Sequence, residues 1–205
     1  MLTAESKNHS QYHADNWILV MMTRILMYGV RKFKLFSHSL VFYIFNYWLT
    51  FLPVYWVRRF YLRHVMGIIV GKQSFIHMGC MFYSNVKIGN NTVIGRQCSL
   101  LGDITIKNNV SITAQTYIFA SSHFKDSPIF EAYCKPVIIE DYAWIGARAT
   151  ILPGVTIGKG AILGAASTAT KDIADYTVCV GTPAKPVGDR TTKLEYNLVY
   201  FPYFQ

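Results

Sequence analysis

The chain has 205 residues, 52% of them apolar, and a formal net charge of +9. That length suffices for one well-buried domain with a modest extension. The basic balance suits anionic lipid, nucleic acid or a phosphorylated substrate, but no zinc-finger, RNA-recognition or basic-zipper pattern accompanies it, so nucleic acid is not an expected partner.

Residues 1–15 are polar and read as disordered. Residues 17–30 (WILVMMTRILMYGV) read as a short apolar helix ending near Gly29. No small-residue cleavage site follows this run, so no cleavable signal peptide is expected. Leu35 to Val57 contains no Asp, Glu, Lys or Arg, and nine of its 23 residues are Phe, Tyr or Trp. The length would span a bilayer, but His38, Asn46, Thr50 and Pro53 oppose a span, and basic residues crowd both flanks. The aromatic content suits the bilayer interface. Three readings therefore stand: a helix lying on the membrane, a segment packed on the protein or on a partner subunit, and a transmembrane span. The basic cluster of Arg24, Arg31, Lys32, Lys34, Arg58, Arg59 and Arg63 borders this apolar sequence and favours a membrane surface. The predicted segments are 1–69, an apolar and basic helical extension; 70–190, the main domain; and 191–205, an aromatic tail.

From Val70 a large apolar residue, branched aliphatic except at Phe82, returns every sixth position: Ile76, Phe82, Ile88, Ile94, Leu100, Ile106, Ile112, Ile118, and again Ile139, Ile145, Ile151, Ile157 and Leu163. Counting Tyr133 and Ala169 as weak occupants gives sixteen hexads, of which thirteen carry Ile, Leu or Val at the key position. These three residues make up 50 of 205, so chance would supply about four. Neither a helix nor a lone strand has period six; a parallel β-helix of hexapeptides does. Three hexads close a coil of about eighteen residues, stacked at ~4.8 Å. The residue four places on is small, as at Ser74, Cys80, Thr92, Cys98 and Thr116, because the prism is narrow there. Gly one place on, as at Gly71, Gly89, Gly95 and Gly146, is expected to relieve crowding or to allow positive φ. The four cysteines form no C-x-x-C pair, and Cys80 and Cys98 read as small apolar filler. The N-terminal segment and the tail from Leu194 are expected to cap the two open ends.

The rhythm stops after His123. With the count restarted at Tyr133, a nine-residue excursion, Phe124 to Ala132, leaves one corner. Insertions in a solenoid map to loops on one face, often the binding face. A histidine at its foot can take a proton near neutral pH, and a purely structural histidine is the other reading.

Residues 70–190 resemble the hexapeptide-repeat acyltransferases, in the branch of maltose, galactoside, nodulation-factor and capsular polysaccharide O-acetyltransferases. The matching stretches are Ile88-Gly89-Asn90-Asn91, Ser121-Ser122-His123, Lys135-Pro136-Val137-Ile138-Ile139, Ala143-Trp144-Ile145-Gly146, Leu152-Pro153-Gly154-Val155, Thr170-Lys171-Asp172-Ile173 and Gly181-Thr182-Pro183-Ala184-Lys185. The resemblance implies an all-β fold, a left-handed parallel β-helix of about five coils with one extended loop, here with an N-terminal α-helical extension. It also implies a cytoplasmic homotrimer using acetyl-CoA, with His123 as general base and no acyl-enzyme. Coenzyme A would run along Trp144, Ala147, Ala165, Thr170, Lys171 and Lys185, the lysines facing phosphates. The family's helper asparagine has no match; Arg96 and Gln97 are nearest. The acceptor would be a sugar hydroxyl, in a surface polysaccharide or a lipid-linked glycan on the inner membrane face. An antibiotic acetyltransferase and a non-catalytic binding scaffold are the alternatives. No metal is expected, since a zinc enzyme on this fold needs three converging histidines and only His77 and His123 are available.

Overall fold

Every strand of the prism pairs with the strand one coil away. The computed structural model describes residues 4–200, and the pairing runs in three parallel stacks. Val70, Ile88, Ile106, Ile139 and Ile157 are in register on the first face. Ile76, Ile94, Ile112, Ile145, Leu163 and Cys179 follow on the second. Phe82, Leu100, Ile118, Ile151 and Ala169 form the third. All but Cys179 are the period-six positions, and all are buried. Five coils and part of a sixth result, the expected all-β parallel β-helix with an N-terminal helix. Each buried Ile or Leu contributes roughly 1.5–3 kcal/mol, so the stack of identical branched side chains is the main cohesive element.

The register corrects the length of the interruption. Ile106 pairs with Ile139, 33 positions on, where Ile88 pairs with Ile106 at 18. The insertion is therefore fifteen residues rather than nine. Tyr133 is not a prism position; it pairs antiparallel with Ser122 inside the excursion. A tyrosine at the right count passes for a weak hexad because spacing alone cannot tell a stacked strand from a hairpin.

The corners decide between the two roles expected of glycine. Positive φ falls three residues after most of the aliphatics, at Gln73, Asn91, Gln97, Asn109, Gln115, Tyr142 and Arg148, though not after Leu100 or Ile118, and not at the glycines one place on. Those glycines answer to crowding alone: a Cβ on Gly95 would lie 2.5 Å from the Ala114 nitrogen of the next coil. Side chains two places on finish the first-to-second corner. Asn90 Oδ1 accepts from Lys72 N (2.7 Å), Asn108 Oδ1 from Asn90 N (2.8 Å) and Asp141 Oδ1 from Asn108 N (2.7 Å). The small inward positions are hydrogen-bonded too, as when the Thr92 hydroxyl donates to Lys107 O at 2.8 Å. Cys80 and Cys98 fill the same slot and are buried.

Helix α1 runs unbroken over Ala4–Tyr47, through Gly29, which replaces the predicted disordered leader and the short helix over 17–30. The chain divides into two compact units after Val41. In the first, residues 24–40 are almost wholly exposed. In the second, the end of α1, a 3-10 turn at Leu49–Phe51 and helix α2 (Tyr55–His64) close the first coil. The Asn46 amide donates to Phe82 O (2.8 Å) and its oxygen accepts from Phe82 N (3.0 Å). Thr50 donates to Cys80 O (2.7 Å), and Arg58 to Ile76 O (2.9 Å). Arg59 donates to Gly71 O at 2.8 Å. These side chains satisfy the edge that an open solenoid would leave bare. Phe45 and Leu62 are buried alongside. The stretch from residue 42 thus packs on the β-helix, and Arg58, counted with the basic surface cluster, is buried structure. No helix among the described residues is long and apolar enough to cross a membrane.

At the other end, an antiparallel pair, Thr177–Val180 with Lys185–Asp189, finishes the second face. The tail does not cap that end as predicted. It runs back along the first-to-second corner: Arg190 donates to Tyr142 O (2.9 Å), Asn109 Oδ1 accepts from Leu198 N (3.2 Å), and Tyr200 stacks on His77 at 5.5 Å. Residues 201–205 lie outside the described residues.

Candidate active site

The fifteen-residue insertion builds its own small scaffold. Ser121–His123 and Ala132–Cys134 form an antiparallel hairpin. Ser127 organises its turn: its hydroxyl oxygen accepts from Glu131 N at 3.0 Å, and its own N–H donates to Phe124 O at 3.2 Å. Phe124 N closes the base on Glu131 O at 2.9 Å, and the Phe124 and Tyr133 rings meet at 4.8 Å. The Lys125–Asp126 pair is wholly solvated and adds little.

His123 is exposed at the foot of this hairpin, and two contacts to one residue hold it. Its Nδ1 lies 2.8 Å from Phe130 O, and its ring stacks on the Phe130 ring at 3.8 Å with 15° between planes. A carbonyl can only accept, so Nδ1 carries the hydrogen. In the neutral ring that leaves the lone pair on Nε2, the arrangement a general base needs. Phe130 has φ +53, a left-handed conformation costly for a bulky residue. Both contacts depend on that backbone turn. Phe130 was not singled out in the sequence; an aromatic seven residues after a histidine carries no signal until the hairpin brings the two together.

Of the remaining predicted positions, Ala147, Ala165, Thr170 and Lys171 fall on two corners, and Trp144 and Lys185 on strands of the second face. Trp144 lies outward on the second face, 46% exposed, its indole N–H 3.4 Å from the Thr113 hydroxyl. Ala147 and Ala165 occupy the second-to-third corner in successive coils, where Ala166 N donates to Ala147 O at 2.8 Å. Thr170 and Lys171 are exposed at the third-to-first corner, two coils beyond the point where the His123 hairpin leaves it. Lys185 opens the last strand, paired with Val180. The two corners flank the third face, whose outward residues Tyr117, Thr150 and Thr168 are in register between them.

Arg96 and Gln97 stand on the second-to-third corner, away from the loop. Gln97 belongs to a ladder there: Gln115 Nε2 donates to Gln97 Oε1 (3.1 Å), and Arg148 Nε to Gln115 Oε1 (2.8 Å). A groove of about 350 Å³ lies beside this ladder, lined by Phe51, Met81, Gln97, Ser99, Gln115 and Tyr117. It was not foreseen, because its walls come from outward positions that the repeat leaves free to vary. Among the described residues no three His, Cys, Asp or Glu side chains converge as a metal site.

The family model "Bacterial transferase hexapeptide (six repeats)" matches residues 67–100 and 136–171, the prism on either side of the insertion. An Escherichia coli relative named as a colanic acid biosynthesis acetyltransferase is 30% identical over 64% of this chain and 75% of its own. The galactoside O-acetyltransferase of Lactococcus lactis is 35% identical over 53% of this chain and 50% of its own. The chain thus spans about half the length of several curated relatives it matches. A Vibrio cholerae hexapeptide-repeat acetyltransferase, solved with acetyl coenzyme A, superposes with a TM-score of 0.64 at 29% identity, covering 76% of this chain and 86% of that one.

Proposed function

Since the chain belongs to the hexapeptide-repeat transferases, we propose that it transfers an acetyl group from acetyl-CoA to a hydroxyl of a sugar. His123 carries this reading. A sugar hydroxyl is far too weak an acid to attack a thioester unaided, and the histidine presents a free Nε2 because Phe130 O holds Nδ1–H. In the step, Nε2 takes the hydroxyl proton as the oxygen bonds to the thioester carbonyl carbon. The carbon–sulfur bond then breaks, and the proton passes to the departing coenzyme A thiolate. No acyl-enzyme forms.

Coenzyme A would be held by exposed groups of the second and third faces and their corners. Ala147 and Ala165 offer corners with no bulky side chain. Lys171 and Lys185 supply mobile positive charges suited to phosphates, and Trp144 offers a flat apolar wall. The relatives named for galactoside and colanic acid acetylation support a glycan acceptor, in a trimer whose neighbouring prisms complete the groove. Acetyl-CoA is expected to raise the melting temperature, by the equivalent of about 2.7 kcal/mol at a hundred times its dissociation constant. Release of coenzyme A thiol should then require a glycoside acceptor. A protein that neither gains stability with acetyl-CoA nor turns it over with any of a panel of glycosides would be a scaffold instead.

A further inference from the structure

Between Asp15 and Asp103 the chain contains no acidic residue, while seven arginines and lysines fall between Asp15 and residue 64. Arg58 and Arg59 serve the cap of the prism. Arg24, Arg31, Lys32 and Lys34 have no such employment: they lie on an exposed part of α1. At 100° per residue, Ile25, Leu26, Val30, Phe33, Phe36 and Leu40 fall within one arc of that helix; Arg24, Arg31 and Lys34 lie outside it, interspersed with Met27, Tyr28 and Leu35, and Lys32 borders the arc. The apolar side is bare, with Leu26 69%, Phe33 72% and Phe36 65% exposed. The second unit repeats the chemistry by itself. Trp56, Phe60 and Arg63 share the outward side of α2, and Trp56 and Trp48 are 72% and 71% exposed.

We infer that this N-terminal region is a docking surface for an anionic lipid bilayer, with α1 lying in the plane of the interface. No described helix is apolar enough to cross, whereas an amphipathic helix with a cationic side and aromatic residues is the form that rests at the headgroup boundary. Charge selects the occupant. A second copy would set two helices of net positive charge together, each carrying five lysines and arginines against Glu5 and Asp15, and nucleic acid would leave the apolar side exposed. The inference does not depend on the proposed acetyl transfer, and its test does not read activity.

The test is flotation of the full-length protein with vesicles of phosphatidylcholine, alone or mixed equally with phosphatidylglycerol. The protein should float with the mixed vesicles and stay behind with the neutral ones. Both Phe33→Glu/Phe36→Glu and Arg31→Gln/Lys34→Gln should lower the bound fraction, the partition coefficient falling by about tenfold or more. Both variants should keep the wild-type melting temperature, because the altered side chains are exposed. Failure to float, equal flotation with neutral vesicles, or unchanged partition of both variants would overturn the proposal. So would a wild-type oligomer that Phe33→Glu/Phe36→Glu disperses with no vesicle binding, since a second copy would then cover the face.

Discussion

His123 and His77 are the two histidines of the β-helix, and their surroundings assign them opposite work. His123 is exposed and oriented by one carbonyl, so its protons can exchange with a substrate. His77 is buried between Phe75 and Tyr200, and its Nδ1 finds no hydrogen-bond partner among the described residues. Burial, reinforced by the charges of Arg96 and Arg58, holds its imidazole below the ordinary value of 6.5. A base with a depressed native pKa is neutral in both states above that value. As the pH falls through 6.5 the unfolded chain takes up the proton first, so stability is full above 6.5 and declines below it until the native group also titrates. The melting temperature of the wild type should therefore drop more between pH 7.5 and 5.5 than that of His77→Phe; parallel curves would contradict this. At Phe130 the backbone carbonyl, rather than the ring, sets the tautomer of His123. Phe130→Gly, which keeps the carbonyl and takes the left-handed φ without a steric penalty, should accordingly keep a larger share of turnover than Phe130→Pro, which cannot hold φ +53, in a kcat comparison of the two variants.

Among elements, the coil is the unit whose details were most legible. The aliphatic period named the interior of all three faces, because an eighteen-residue coil leaves no freedom in what points inward. The glycines one place on were legible in position, with crowding and positive φ both open as the cause, since sequence does not reveal which atom stands opposite. Their true constraint gives a sharp expectation: Gly95→Ala drives a methyl group into the Ala114 backbone and should cost about 1–3 kcal/mol, read by thermal or urea unfolding. The cap was less legible. An apolar, aromatic run looks the same whether it covers lipid or protein, and only the hydrogen bonds of Asn46, Thr50 and Arg58 decide for residues 42–64. Asn46→Ala leaves both Phe82 backbone groups unpaired at a buried edge and should destabilise the fold by about 2 kcal/mol or more. The insertion was legible as an interruption, but its length and hairpin were not, because Tyr133 sits where a hexad could begin.

At the scale of the whole molecule, the rigid prism and the irregular parts divide the labour. The β-helix supplies fixed corners; the hairpin, the cap and the tail supply what the repeat cannot. The tail illustrates why this level was hardest to anticipate. Its Arg190, Tyr196, Leu198 and Tyr200 touch five successive coils along one corner, at Gly160, Tyr142, Asn109, Asn91 and Phe75, a path that no local pattern in residues 190–200 encodes. Acetyl transfer with His123 as the base is the central claim, and one measurement meets it most directly. Coenzyme A release and acetylated product should be followed for wild type and His123→Ala with a glycoside acceptor, alongside binding of acetyl-CoA. The account predicts unchanged acetyl-CoA affinity and melting temperature, with kcat lower by roughly 10²–10⁴ in the variant. Turnover by His123→Ala at the wild-type rate would contradict it.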